Sequence, residues 1–322
     1  MEKLIPDKKA VCTIEECGIN KFDFFMTIPV EEQLRGTVFK YQKEIVEYGK
    51  LVREQGISDI NNGKHVGRIS AEISGEIITL SVNTDGAAAY RWSVNKPCYP
   101  IFVTINNLPP RIRFDKNNLL LAAVWLSKGE PSIPLVFKHF CEEINKLRNG
   151  IAIGTKIYKV IVIQNCLDSV ARPKLQNSTQ FNEKFGCSLC LHEGKIVYGN
   201  QIRYPFTKSD NRIHSDTRRH MMIEAHNTGM AVKGMKGLSV FLSIPYFDVV
   251  KGNILVVQAK ENPYVNTVSI FRLSTRLYAL SPARCSEAVM GVVYSIIQPQ
   301  QTLLYRTSNA RSGKKYACYQ NT

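Results

Sequence analysis

The chain changes hydrophobic period along its length. From Val30 to Leu51 apolar residues recur at roughly helical spacing among Glu, Gln and Lys, which predicts one or two helices within a mostly helical lead-in over residues 1–75. Gly56 to Val66, with Asn61, Asn62 and Gly63, reads as a loop that closes this lead-in. From Ile77 the pattern becomes strand-like. Three apolar, β-rich runs follow, Ile77 to Thr84, Tyr99 to Asn106 and Leu119 to Leu126, separated by the turn residues Asn95, Lys96 and Pro97 and then by Pro109 and Pro110. Pro134 to Arg148 places Leu135, Phe137, Phe140, Cys141, Ile144 and Leu147 on one helical face, with Gly150 as its stop. Lys159 to Asn165 is uniformly apolar, as an inner parallel strand is. The predicted order is β-β-β-α-β, an α/β arrangement around a mixed sheet.

Beyond that unit, Asp168 to Leu175 reads as the start of a further helix, and Phe185 to Gly194 as a small knuckle around two cysteines. Arg203 to Arg219 is polar and basic. Residues 253–322 contain short apolar pieces, Ile254 to Val257 and Gly291 to Ile297, without a sustained period, and read as an unmatched, poorly ordered tail. The expected division is therefore a lead-in over 1–75, a core over 76–252 that carries the knuckle at 185–194, and the tail.

With 322 residues, 44% of them hydrophobic, the chain is long enough to bury a sizeable core. It has no run of 18 apolar residues, and its opening, MEKLIPDKKA, is too charged for the apolar centre of a secretory signal, so an intracellular protein without a membrane partner is expected. In a reducing compartment nine cysteines are free thiols or metal ligands rather than disulfides. The formal charge of +15 points to a polyanionic partner, although the basic residues are dispersed apart from short clusters such as Arg218, Arg219 and His220, or Arg311, Lys314 and Lys315. No G-x-x-x-x-G-K-[ST], G-x-S-x-G or H-E-x-x-H motif occurs, which leaves nucleotide hydrolysis, acyl transfer and zinc proteolysis without support, and no small-molecule substrate is expected.

Two constellations carry chemistry. Asp85 ends the first strand in LSVNTDGAAAY, and Asp168 follows the fourth in VIQNCLDSVARP. In a β-β-β-α-β unit those two strands lie side by side and run the same way, so carboxylates at their C-terminal ends face one another. Such a pair can hold one or two Mg²⁺ or Mn²⁺ ions, hard cations that activate a water and stabilise the leaving oxygen in phosphodiester cleavage. Taken singly, each Asp is better read as a turn or helix-cap residue; the pairing in this strand order is what favours a metal site. The second constellation is Cys187 and Cys190 in FGCSLCLHEG, whose C-x-x-C spacing lets two thiolates grip a structural Zn²⁺. His192, His214, His220 and His226 are candidates for its remaining ligands, and none of them completes a standard finger spacing. Two unliganded thiols on a turn are the alternative. A redox C-x-x-C lacks its usual strand-then-helix context here.

The stretches NTDGAAAYRWSVNKPCYPIFVTINNLPPRIRFDKNNLLLAAVWLSKGEP, NCLDSVARPKLQNSTQFNEKFGCSLC and GLSVFLSIPYFDVVKG resemble the DNA transposases of the CACTA (En/Spm) type and their animal relatives, over about Ile28 to Gly252. The resemblance implies a ribonuclease-H-like catalytic domain with a triad of two Asp and one Glu and an inserted zinc-binding element. Asp85 matches the first catalytic Asp, Asp168 in D-S-V-A-R the second, and Cys187 and Cys190 the zinc thiolates. It also implies DNA, the transposon ends, as partner, a nuclear location and homo-oligomerisation as a candidate assembly. After F-D-V-V-K-G the family continues into a D/E-x-M-H segment and a long helical insertion before the catalytic Glu; from Asn253 this chain reads NILVVQAKENPYVN, which matches neither. Residues 253–322 are thus expected to be a frameshifted, mis-spliced or decayed continuation. Glu261 and Glu287 are the formal candidates for the third acid, and no strand transfer is expected.

Overall fold

The computed structural model describes residues 22–56, 58–84, 87–88, 97–126, 131–197, 199, 201–205, 207–226, 230–255, 303–308 and 316–318. In chain order its elements are β1 (Phe22–Thr27), α1 (Val30–Lys40), α2 (Gln42–Glu54), α3 (Lys64–Glu72), β2 (Glu76–Thr84), β3 (Ala87–Ala88), β4 (Pro97–Ile105), α4 (Pro110–Arg113), β5 (Leu120–Leu126), α5 (Ile133–Leu147), β6 (Ile151–Ile153), β7 (Lys156–Leu167), α6 (Ala171–Gln176), β8 (Lys195–Val197), β9 (Gln201–Arg203), α7 (His214–His226), β10 (Asn253–Leu255), β11 (Leu303–Ser308) and β12 (Tyr316–Cys318). The β-β-β-α-β order is present as β2, β4, β5, α5 and β7.

These strands form one mixed sheet in the order β10-β7-β2-β4-β5-β1-β11-β12, with β3 on β4 and β6 on β7; β8 and β9 make a separate hairpin. β4 runs antiparallel to both β2 and β5, whereas β2, β7 and β10 are mutually parallel. Asn83 of β2 stands opposite Cys166 of β7, and a bulge separates this register from that before Leu80. The even hydrophobicity of β7 has a direct cause: both faces are covered. Its Val160 and Val162 join the main core with α5 residues Phe137, Phe140 and Ile144, while Ile161 and Ile163 pack on the other face against Val66, Ile69 and Ile73 of the α3 region. α5 opens with Pro134 in its first turn and buries Val136, Phe137, Phe140, Cys141, Ile144 and Leu147; Leu135 is only partly buried, so the face is rotated slightly from the one expected.

The lead-in differs from its sequence reading. Phe22–Thr27 is a strand, antiparallel to β5, with Phe25 stacked on Trp125 at 5.8 Å between ring centres. Gly56 to Val66 is not an extended loop: Ile60–Asn62 forms a 3-10 turn capped by the Asp59 side chain, and α3 starts at Lys64. Asn62 accepts from the Asp59 N–H at 3.0 Å, and Asn61 donates to the Asn106 carbonyl and accepts from the Thr79 hydroxyl, so the turn residues read as loop signals instead build a cap and tie it to the sheet. At the other end, the break expected after Gly252 falls immediately before β10, whose Asn253, Ile254 and Leu255 pair with Asn165, Cys166 and Leu167. The remainder of the expected tail, apart from β11 and β12, lies outside the described residues, as do Glu261 and Glu287.

Candidate functional site

β2 and β7 are adjacent and parallel; β2 is described to Thr84, which precedes Asp85 in the chain, and β7 ends at Leu167, which precedes Asp168. Asp85 lies outside the described residues. Asp168 is half-buried, and its Oδ1 accepts the backbone N–H of Val170 at 2.9 Å and of Ala171 at 2.5 Å, capping the turn that leads into α6. The cap role named as the alternative for a single Asp is thus occupied by one carboxylate oxygen. Across the two strands the Asn83 amide donates to the Cys166 carbonyl at 3.0 Å, which fixes their ends relative to one another.

Beside this sheet edge sits the 185–194 loop. Gly186 permits it: a Cβ there would stand 2.1 Å from the Gln180 carbonyl oxygen. The Gly186 N–H donates to the Tyr204 hydroxyl at 2.8 Å, and that hydroxyl in turn donates to the Glu183 carbonyl. Arg212, 3% exposed, donates from Nε to the Cys187 carbonyl and from Nη2 to the Phe185 carbonyl, both at 2.8 Å. Tyr204 and Arg212 are residues that the sequence reading did not single out, because one tyrosine and one arginine in a polar stretch give no periodic signal.

Cys187 and Cys190 are both free and half-buried. Burial pushes the Cys187 thiol up, but the N–H groups of Leu189 and Cys190, the Cys190 thiol and the Arg212 charge outweigh it, so Cys187 is the member of the pair held below the ordinary thiol range. By contrast burial lifts Cys98 and Cys166 to about 12, which leaves them inert packing groups. The candidate histidines are placed differently. His192 is at the loop, but its Nε2 is hydrogen-bonded to Thr207 Oγ1 at 2.7 Å and its Nδ1 accepts from the Gly194 N–H at 2.9 Å. His214 lies elsewhere, at the start of α7, where Nδ1 accepts from the Val249 N–H and stands 3.9 Å from Asp248 in a cavity it shares with His65 and Arg68. His220 lies within the field of Arg212, and the side chain of His226 is outside the described residues. Among the described residues no group of three or more His, Cys, Asp or Glu side chains is arranged to hold a metal ion. The two thiols therefore fit half of a tetrahedral zinc site, and no third ligand joins them among the described residues.

A cavity of about 830 Å³ opens between this loop and the sheet, lined by Arg172, Phe181, Leu189, Tyr204, Lys251 and Asn253 among others. Arg172 is tied to the candidate aspartate by its own backbone, its N–H donating to the Asp168 carbonyl at 3.1 Å. The loop, the end of β7 and β10 thus form one continuous region. Compared with known proteins, the sequence matches no family model, and no curated protein is significantly similar to it.

Proposed function

We propose that this chain derives from a cut-and-paste DNA transposase, with a ribonuclease-H-like core that in this form lacks its third acid. The observation that carries the reading is the pair of adjacent parallel strands β2 and β7, which lead along the chain to Asp85 and Asp168, in a sheet whose central order is β5-β4-β2-β7-β10 with β4 alone reversed. Carboxylates that follow neighbouring parallel strands are suited to share a metal ion, as two-metal phosphodiester chemistry requires. Asp85 and Asp168 would hold Mg²⁺ or Mn²⁺, which supplies water activation and charge stabilisation at the leaving oxygen. The protein's own contribution is positional: the α6 turn holds the Asp168 Oδ1, leaving its second oxygen as the candidate ligand. Cys187 and Cys190 would provide two zinc thiolates. The +15 charge supports DNA as partner and, with the resemblance, a nuclear location.

A second reading is a DNA-binding or protein-interaction module that has lost catalysis. It is favoured by the engagement of Asp168 as a cap. Isothermal titration of Mn²⁺ and Mg²⁺ into the native chain, Asp85→Asn and Asp168→Asn separates the two. Binding in the native chain that is lost in both variants supports the paired-carboxylate site; absence of binding in the native chain rejects it and leaves the binding module.

A further inference from the structure

We propose that the cavity between the 185–194 loop and β10 binds one unpaired nucleotide of a nucleic-acid strand, with its phosphate on Arg172 and its base against Phe181 and Leu189. The inference rests on the polynucleotide reading above.

The floor of the cavity is cationic and has unmet hydrogen-bonding capacity. Arg172 is only 9% exposed, and its Nε has no hydrogen-bond partner among the described residues. Asn253, 2% exposed, donates its amide N–H to the Val249 carbonyl at 2.5 Å but leaves Oδ1 without a partner among the described residues. Its register neighbour Asn165, fully buried, leaves both amide atoms unpartnered as well. Buried polar groups are ordinarily satisfied. A donor of positive charge beside an open acceptor suits a ligand that carries an anion and an N–H together.

The walls call for a flat apolar group. Phe181 and Leu189 are each 58% exposed, although the loop around them is pinned by Arg212 and Tyr204. Lys251 stands at the rim. A nucleobase against an aromatic ring with its phosphate on arginine joins these features, and stacking on aromatic side chains accepts any base. Only an unpaired nucleotide can enter, since a paired base keeps both faces in its own stack. Arg172 lies one helical turn along the chain from Asp168, whose carbonyl accepts its N–H at 3.1 Å.

The test is fluorescence anisotropy of the full chain with a labelled single-stranded 12-mer, the blunt duplex of the same sequence and an abasic 12-mer, all at one salt concentration. The single strand is expected to bind about tenfold tighter than the duplex. Phe181→Ala and Arg172→Gln should each weaken the single strand at least about fivefold and leave the duplex unchanged, with the abasic strand mimicking Phe181→Ala. The Phe181 ring is largely in solvent, so that variant keeps the fold even if Arg172→Gln does not. Equal affinity for single strand and duplex, unaltered by Phe181→Ala, overturns this inference and leaves the polynucleotide reading standing. Binding of neither strand overturns both. Complete competition by inorganic phosphate with no dependence on the base reduces the cavity to an anion site and also overturns it.

Discussion

At the scale of single residues, the chemistry of this protein is set by who is enclosed without a partner. His220 is 9% exposed, and its Nδ1 has no hydrogen-bond partner among the described residues. Burial first, then the charges of Arg219 and Arg212, hold its imidazole below the usual range, and burial acts the same way on His139. The folded pKa is depressed while the unfolded one stays near about 6.5, so the unfolded chain takes up the proton first and stability falls as pH drops below that value. Glu143 works in the opposite direction, since burial raises its carboxyl and acidification relieves the folded state. The urea midpoint is therefore expected to fall from pH 7 to pH 5.5, and His220→Gln should flatten part of that slope. An identical slope in the variant would assign the effect to other groups. Asp168 makes the same point at the candidate site: its position at the end of β7 was legible as a pattern, but the engagement of Oδ1 by Val170 and Ala171 is a property of the folded turn.

At the scale of elements, short pieces of low periodicity are held by specific polar contacts. α4 is four residues long, yet its Arg113, 3% exposed, donates through Nη2 to both Asp59 oxygens at 3.1 and 2.9 Å and through Nε to the Leu108 carbonyl. Tyr48 of α2 donates to the same Asp59 at 2.7 Å, and burial with that contact raises the phenol to about 12. One carboxylate thus joins α2, the 3-10 turn and α4. Arg113→Leu should cost about 3–5 kcal/mol in urea unfolding, because it strands a buried charge. A loss below about 1 kcal/mol would mean that water replaces the guanidinium. Burial and strand pairing shape two further elements. HSDTRRHMMIEAH looks merely polar and basic, but becomes α7 by burying Thr217, His220 and Met221. FDFFMT is six residues without a clear period and becomes β1 because β5 offers it an edge.

At the scale of the whole molecule, residues from the lead-in and from the sheet share one hydrophobic cluster, with Phe25, Val30, Leu34 and Val38 alongside Val82, Phe140 and Val162. Phe25→Ala and Phe140→Ala should accordingly shift the same cooperative transition, each by about 3–5 kcal/mol. Two transitions, with Phe25→Ala moving only one, would show that the lead-in folds independently. The sequence by itself determined which segments become β2, β4, β5, α5 and β7 and that an aspartate follows the first and the last of these strands in the chain, because hydrophobic period is a local property of neighbouring residues. Only the tertiary structure decided that β1 and β10 flank this unit, that His214 stands away from the cysteine loop, and that Arg172 and Asn253 line one cavity beside it. Those contacts join residues up to about a hundred positions apart, and a lone arginine, asparagine or histidine carries no period from which such a meeting is legible.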